Sequence, residues 1–397
     1  MIFLIYLDNA ATTKMAPEVM SAMIPYMTEE YGNAGTLYKL GRDAAGAVAK
    51  AREKIAALFG CEPGQVVFTS GGSEGNSTVF LGLRKYLAEA GKRHIVVSAV
   101  EHESVLKAAE ALSEEGFSIT RVAPDASGKI SPRAVEDAIR GDTGLVSVMY
   151  VNNEVGAVND VQEIGDICRA HGALFHTDCV QAAGQYPIEV ERFHADFATV
   201  SAHKIHGPKG VGALYVRDMG KISPVLCGGN YQEFGVRGGT ENVPGIVGFG
   251  AAYDLVGREL KGEITVVSIL KQTFFTALKG CLGDLGLDDQ ILHVNGRQVI
   301  EPGKILNLRV DGVDAETLVL ALDAKGVCVS AGSACQSHEA RPSHVLLAMG
   351  LSEEEARSSI RISFSRFNQQ EELVHAAETT ARCIAALLPE PETAQPS

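Results

Sequence analysis

The chain has 397 residues, of which 46% are hydrophobic and 21% charged, a composition typical of a globular protein and unlike a fibrous or disordered one. Its 35 basic and 49 acidic residues give a formal net charge of −14, which argues against direct binding to nucleic acid or to an anionic membrane surface. At this length we expect two domains.

The first predicted element is a buried strand in the run MIFLIYL, which Asp8 interrupts. The run lacks the basic leader and the length of a signal peptide, and no other stretch approaches the ~20 apolar residues of a membrane span. The eight cysteines follow no CxxC or disulfide pattern, which favours a reducing compartment. We therefore predict a cytoplasmic protein without a membrane segment.

Apolar, β-branched runs alternate with stretches of helical periodicity between about residues 44 and 255. This alternation predicts βαβ units and a largely parallel sheet that is covered on both faces. Val161, Ile164 and Cys168 predict one of the helices, with its end at Gly172. The predicted strands are QVVFTSG, HIVVSAV, GLVSVMYVNNE, ALFHTD, DFATVSAHK and GVGALYVRD.

A different pattern follows and predicts a smaller α+β domain. Its predicted elements are a long helix, the strand KILNLRV, a helix over 315–325, the strand GVCVS, a helix near 342–349, the strand IRISFS and a last amphipathic helix. We expect the large domain to cover 14–258 and the small domain to combine 1–13 with 259–397. The proline-rich end PEPETAQPS predicts a disordered tail.

Polar residues follow several of the predicted strands. Lys204 comes directly after a buried strand, at the sheet edge where α/β folds place ligands, and a desolvated lysine amine can form a Schiff base with an aldehyde. Asp178 ends another strand, and Gln181 follows it. The turn TSGGSEGN leads into a helix, so that the amides of Gly72 and Ser73 could hold a phosphate.

An aldehyde-binding lysine, a carboxylate for a pyridinium nitrogen and a phosphate cradle together indicate pyridoxal 5′-phosphate (PLP). Each feature alone has an ordinary alternative. Lys204 could be a surface lysine like Lys209, and a small-residue turn before a helix is usually only a turn.

Cys335 lies in the segment SAGSACQSHEARPSHVL, whose small and polar residues supply no apolar surroundings. We interpret it as a reactive thiol on a mobile loop. One alternative is an incidental loop cysteine, and another is a metal site formed by Cys328, Cys335, His338 and His344. Because that spacing matches no zinc signature, we predict no metal.

Nine motifs stand in the order found in cysteine desulfurases, which the chain resembles from Tyr6 to about Phe367. They are YLDNAATT, TSGGSEGN, VEHESVL, VNNEVG, HTDCVQ, SAHKIHGPKG, RGGTENV, SAGSAC and SSIRIS. These enzymes belong to the class V aminotransferase group. The resemblance implies an α/β fold with a PLP fold-type I large domain around a mainly parallel central sheet, a smaller α+β domain and a homodimer.

The resemblance also implies a role for each site residue. Lys204 would be the Schiff-base lysine, Asp178 would pair with the pyridine nitrogen, and His102 would stack on the ring. Arg361 would clamp the substrate carboxylate. The other contacts to PLP would come from Gly72, Ser73, Asn153, Gln181, Ser201, His203 and, from the second subunit, Thr240, and Asn153 would also lie at the substrate.

The implied reaction converts L-cysteine to L-alanine. Cys335 would take the substrate sulfur as a persulfide, Lys204 would move the α-proton, and His102 could move protons to or from the substrate. The loop around Cys335 resembles that of the long-loop group, which hands sulfur to acceptor proteins such as an iron–sulfur scaffold or a tRNA-thiolation enzyme.

Three alternatives remain open at this point: a selenocysteine lyase, a class V aminotransferase and a non-catalytic assembly platform. The chain also departs from the commonest desulfurase pattern at Tyr38, at Gly75 and at Tyr231, which looks like a one-residue insertion. These departures concern the substrate entrance and the choice of partner rather than the proposed chemical core.

Overall fold

The computed structural model describes residues 4–257, 260–332 and 342–388. Cys335, His338 and the predicted tail lie outside these residues. Contacts divide the chain into two compact units, each described by itself. The large unit comprises Thr12–Asn152 and Ala157–Glu263, and the small unit comprises the described residues of Met1–Ala11, Asn153–Gly156 and Ile264–Ser397.

The described strands are, in chain order, β1 Ile5–Tyr6, β2 Val66–Thr69, β3 His94–Ser98, β4 Ser118–Val122, β5 Thr143–Ser147, β6 Leu174–Asp178, β7 Phe197–Ser201, β8 Gly212–Val216, β9 Leu292–Asn295, β10 Ile305–Val310, β11 Val327–Cys328 and β12 Ser359–Ser363. The described helices are α1 Pro17–Thr28, α2 Lys39–Phe59, α3 Gly72–Glu89, α4 Glu103–Glu114, α5 Pro132–Ala138, α6 Val161–His171, α7 Val243–Gly257, α8 Leu260–Asp284, α9 Ala315–Asp323, α10 His344–Ala348, α11 Glu353–Arg357 and α12 Gln370–Leu387.

A seven-stranded sheet with the order β2-β8-β7-β6-β5-β3-β4 forms the centre of the large unit. The neighbouring strands β7, β6, β5, β3 and β4 are all parallel, and β8 runs antiparallel to both β7 and β2. All of these strands except the edge strand β4 are almost wholly buried. The predicted mainly parallel sheet is therefore confirmed, and the burial of its central strands is typical of a parallel sheet covered on both faces.

The predicted helix after β5 shows how local sequence signals set the ends of an element. The side chain of Asp160 accepts a hydrogen bond from the amide of Glu163, which caps the start of α6. Gly172 adopts the left-handed conformation after the last turn, with φ of 66°, a conformation that glycine adopts without a steric penalty.

In the large unit, five strands run in the same direction, namely β2, β3, β5, β6 and β7. Their carboxyl ends meet at one edge of the sheet, where α/β proteins bind ligands. The apolar run predicted as a strand over 144–154 leaves the sheet earlier than expected, since β5 ends at Ser147. The chain then turns, and Val151 pairs with Val158 in an isolated bridge.

The small unit contains the antiparallel sheet β12-β10-β9 and the parallel pair β1-β11. Residues of α8, α9 and α12 pack on these strands in one apolar core that includes Phe274, Leu318 and Ile384. The predicted helices in this part of the chain end one or two residues earlier than expected, at Asp323 and Ala348. Among the described residues, no helix has the length and apolar content to cross a membrane.

Candidate active site

The predicted site residues of the large unit lie after strands that end at the same sheet edge. Asp178 is the last residue of β6, and Ser201 is the last residue of β7. Lys204 ends a short 3-10 turn that directly follows β7 and is half-buried. His102 is the N-cap of α4, four residues after β3. The topology therefore gathers these residues from separate strands.

The turn between β2 and α3 permits an unusually close approach of the backbone. A Cβ atom on Gly72 would lie 2.9 Å from Cγ2 of Val180, and one on Gly212 would lie 2.8 Å from Cα of Gly71. A Cβ atom on Gly71, whose φ is 153°, would lie 3.8 Å from the Ser201 hydroxyl oxygen. The start of α3 and this hydroxyl thus lie close together, and a helix N-terminus beside a hydroxyl offers the donors that a phosphate group accepts from.

Glu74 ties this turn to the loop that carries Thr240. Its carboxylate accepts a hydrogen bond from the amide of Ser70 at 2.7 Å and from Nε of Arg237 at 2.9 Å. The Arg237 and Ser70 interactions hold the pKa of Glu74 below its usual range against the effect of burial. Thr240, three residues after Arg237, is exposed.

Asp178 is buried, and each of its carboxylate oxygens accepts one hydrogen bond. The amide of Val180 donates to Oδ1 at 2.9 Å, and Nδ2 of Asn76 donates to Oδ2 at 2.8 Å. Each carboxylate oxygen has two lone pairs, so the carboxylate is oriented and keeps the capacity to accept a further donor. A protonated pyridine nitrogen is a donor of that kind.

The segment around Lys204 is anchored to the beginning of the large unit. Nδ1 of His203 lies 3.0 Å from Oγ1 of Thr12, and Thr13 donates both its amide and its hydroxyl to the backbone oxygen of His203 at 2.9 Å. Gln181 is buried, and its backbone oxygen accepts a hydrogen bond from the side chain of Gln185. These bonds fix the loops on which the predicted residues lie.

Glu101, directly before His102, is a buried carboxyl group. Ser98 Oγ and the amide of Met149 each donate to its Oε1 at 2.6 Å. Burial raises the pKa of Glu101 to about 8, and the nearby charge of Asp178 acts in the same direction. The raised pKa favours the protonated form of Glu101 at neutral pH, beside the residue predicted to stack on the ring.

Arg361 lies in the small unit, on β12, and is 2% exposed. Its Nη2 donates to Oδ1 of Asp8 at 2.8 Å and its Nη1 to the backbone oxygen of Asn153 at 3.0 Å. Nε is buried and has no hydrogen-bond partner among the described residues. A guanidinium has five N–H donors, so this buried group keeps donors that a carboxylate can accept from.

The segment of Asn153–Gly156 is held to the small unit by further polar contacts. Nδ2 of Asn307 donates to the backbone oxygen of Glu154 at 3.3 Å, and Ser343 donates to its carboxylate at Oε2. Asn153 thereby occupies a fixed position beside Arg361.

All seven cysteines in the described part of the chain are free thiols. Burial raises the pKa of Cys168 to about 12 and also raises the pKa values of Cys179 and Cys328, so these three are poor nucleophiles. In the described ranges, no group of three His, Cys, Asp or Glu side chains could hold a metal ion. Two members of the alternative metal set, Cys335 and His338, lie outside those ranges.

Asn76 and Asp8 are among the residues with direct contacts to the predicted site that were not identified from the sequence. Asn76 contacts Asp178, and it lies on the helix face that also carries Val79 and Leu83. The sequence signal that could have identified Asn76 is that it is a polar residue within the apolar stripe of a helix. Asp8 contacts Arg361, which lies 353 positions later in the sequence. The only sequence signal for Asp8 is that it directly follows an apolar run.

Residues 5–375 match the family described as Aminotransferase class-V. The chain belongs to this family. A cysteine desulfurase IscS of Methanosarcina thermophila is 39% identical over 383 residues, which cover 96% of this chain and 92% of that protein. Both the family and its cysteine desulfurase members use PLP.

Two solved structures extend the similarity to the fold. A NifS-like protein has a TM-score of 0.88 and 32% identity, with 97% of this chain and all of that chain covered. A structure described as SspA in complex with cysteine has a TM-score of 0.77 and 34% identity, with 92% of this chain and 99% of that chain covered. The predicted PLP fold-type I architecture is thereby confirmed.

Proposed function

We propose that this chain is a PLP-dependent cysteine desulfurase that converts L-cysteine to L-alanine. The observation that carries the proposal is the set of groups at the carboxyl edge of the large sheet. An amine at Lys204, an oriented carboxylate at Asp178 and an amide-lined turn at Gly72 are the three groups that PLP requires. The curated relative named a cysteine desulfurase supports the choice of reaction.

The described site residues fit the cofactor. Lys204 would bind its aldehyde, Asp178 its pyridine nitrogen and His102 its ring face. Asn153 and Gln181 would contact the ring oxygen. The phosphate would be held by Gly72, Ser73, Ser201 and His203, and by Thr240 of a second subunit. When bound, PLP makes the α-carbon of the amino acid acidic by withdrawing electrons into its ring.

Protein groups perform the remaining steps. The guanidinium of Arg361 binds the substrate carboxylate, because its planar fork matches the two carboxylate oxygens. The amine of Lys204 takes the α-proton and returns a proton to the carbon skeleton that becomes alanine.

The sulfur step needs a thiolate, and we assign it to Cys335. Its sulfur attacks the sulfur of the substrate, so that a sulfur–sulfur bond forms while the bond from sulfur to the substrate β-carbon breaks. Cys335 is left as a persulfide, and the carbon skeleton leaves as alanine after protonation. A second thiol, on an acceptor protein such as an iron–sulfur scaffold or a tRNA-thiolation enzyme, then takes the terminal sulfur.

We also propose a cytoplasmic homodimer. Free thiols at all described cysteines suit a reducing compartment. On α1, Met20, Ile24 and Met27 share one helix face and are 54%, 48% and 57% exposed. An apolar face of this kind is typical of a surface that a second subunit covers, and a second copy would also supply Thr240.

The test is to give L-cysteine to the purified full-length protein with PLP and to quantify alanine and sulfide. We expect both products in equal amounts when a thiol reductant is present. Lys204→Ala should abolish alanine formation, whereas Lys209→Ala, at an exposed lysine five residues later, should leave it unchanged.

Three other outcomes would contradict the proposal. A strong preference for selenocysteine would indicate a selenocysteine lyase, and transfer of the amino group to a keto acid would indicate an aminotransferase. No turnover of any amino acid by a protein that binds its partners would indicate an assembly platform.

A further inference from the structure

Asn76 is a polar residue on the buried face of α3. It is 1% exposed and lies one turn before Val79 and Phe80, which belong to the core of the large unit. Its Oδ1 atom is buried and accepts no hydrogen bond within the described part of the chain. An unsatisfied buried amide oxygen costs about 1–3 kcal/mol, so packing does not explain an asparagine at this position.

The amide nitrogen of Asn76 makes two hydrogen bonds that do explain it. Nδ2 donates to Oδ2 of Asp178 at 2.8 Å and to Oγ of Ser104 at 3.0 Å. The orientation of the amide follows from its partner, because a carboxylate oxygen only accepts. A reversed amide would set its oxygen against the oxygen of Asp178.

Ser104 continues the chain of hydrogen bonds to His102. Because its hydroxyl oxygen accepts from Asn76, its own hydrogen can be donated to Nδ1 of His102, which lies 2.8 Å away. The backbone amide of Ser104 donates to the same Nδ1 at 3.1 Å. An amide N–H cannot reverse its direction, so Nδ1 carries no hydrogen and the neutral ring carries it on Nε2.

We infer that Asn76 is a positioning residue that sets two groups at once: its amide orients the carboxylate of Asp178 and, through Ser104, holds His102 as a neutral ring with its hydrogen on Nε2. The inference rests on the proposed function, in which these groups contact PLP. In this state His102 donates a hydrogen bond from Nε2 and accepts no proton. Proton transfer to and from the substrate carbon is then the task of Lys204.

The first test reads the His102 ring directly and does not depend on turnover. Protein labelled with ¹⁵N-histidine and loaded with PLP is measured by NMR at neutral pH, and His102→Gln identifies the signal. We expect the Nε2–H form. Ser104→Ala, which removes one of the two donors, should increase the fraction of rings with hydrogen on Nδ1 severalfold, and Ser104→Thr, which keeps the hydroxyl, should restore the wild-type signal.

The second test measures PLP affinity by equilibrium titration of the apoprotein. Asn76→Ala should bind PLP about tenfold more weakly, as expected for the loss of one hydrogen bond to a charged group. Ser77→Ala is the matched control, because it is the next residue of α3 and its side chain makes no hydrogen bond among the described residues. It should bind PLP like the wild type.

Two results would overturn the inference while leaving the proposed function intact. One is a wild-type protein that forms alanine although its His102 carries hydrogen on Nδ1 or is charged at neutral pH. The other is an unchanged PLP affinity and an unchanged His102 signal in Asn76→Ala. A wild-type protein that forms no alanine from L-cysteine would instead overturn the proposed function, and the ring signal would still decide the state of His102.

Discussion

Arg361 and Asp8 form a hydrogen-bonded ion pair in the small unit, with 2.8 Å between Nη2 and Oδ1. Only 2% of the Arg361 side chain and 16% of the Asp8 side chain are exposed. A guanidinium held in one orientation loses little conformational freedom when it binds a second carboxylate. The pair thereby orients Arg361 for the role that we propose for it, which is to bind the carboxylate of the substrate.

Arg361→Lys should raise KM for L-cysteine about tenfold or more, because lysine keeps the charge but loses the planar fork. Steady-state kinetics of alanine formation provides the measurement. Arg382→Lys, at an arginine whose side chain is 71% exposed on α12, serves as the control and should leave KM unchanged. An unchanged KM in Arg361→Lys would remove Arg361 from the substrate site.

Asp8→Asn should lower the free energy of unfolding by about 3 kcal/mol, because it leaves a buried guanidinium without its anion. A carboxylate ligand can replace that anion. We therefore expect L-alanine to raise the melting temperature of Asp8→Asn by more than it raises that of the wild type. Equal shifts in the two proteins would show that Arg361 does not meet the ligand carboxylate.

The contrast between Asp178 and Asp8 shows what the sequence could predict. Asp178 ends a buried strand, and the rule for parallel sheets places such a residue at the ligand edge. The contact between Asp8 and Arg361 has no comparable local signal, since it depends on how β1 and β12 meet in space. Asn76 lies between these two cases. The apolar stripe of α3 predicts which face of the helix is buried, and Asn76 lies on that face, but the stripe does not predict its contact with Asp178.

The strands illustrate the same limit. The buried strands β3, β6 and β7 were each predicted to within three residues of their ends. β4 was not predicted, because SITRV is an edge strand with alternating polar residues and partial exposure. The apolar run after Ser147 continues to Val151, but the chain turns there to pair Val151 with Val158, a tertiary feature that periodicity does not report.

Gly72→Ala should weaken PLP binding about tenfold, because the new Cβ would lie 2.9 Å from Cγ2 of the stiff side chain of Val180, and overpacking of this kind costs about 1–3 kcal/mol. Titration of the apoprotein with PLP measures the effect. Gly46→Ala is the control, since a Cβ at this exposed position of α2 meets no atom within 4 Å. It should stabilise the protein by about 0.5–1 kcal/mol and leave PLP binding unchanged.

Glu101→Gln should change how stability depends on pH. The folded protein binds a proton on Glu101 more tightly than the unfolded chain, since burial raises the pKa from 4.5 to about 8. The stability contributed by this proton is present below pH 4.5 and is lost as the pH rises through about 8. Urea unfolding of the apoprotein across this range should therefore show a shallower decline in Glu101→Gln than in the wild type.

The matched control for this experiment is Glu89→Gln, at a glutamate whose side chain is 69% exposed at the end of α3. Its stability should follow the wild-type curve at every pH. Parallel curves for Glu101→Gln and the wild type would mean that Glu101 is ionised in the folded protein at neutral pH.

The most direct test of the central claim is the mass of the peptide that contains Cys335 after a single turnover with L-cysteine in the absence of reductant. We predict that this peptide gains the mass of one sulfur atom, that one alanine is released for each sulfur bound, and that Cys328→Ala behaves like the wild type. Cys335→Ala should still bind PLP but should gain no sulfur on any peptide. Sulfur found on another cysteine, or alanine released at the wild-type rate by Cys335→Ala, would contradict the proposed desulfurase mechanism.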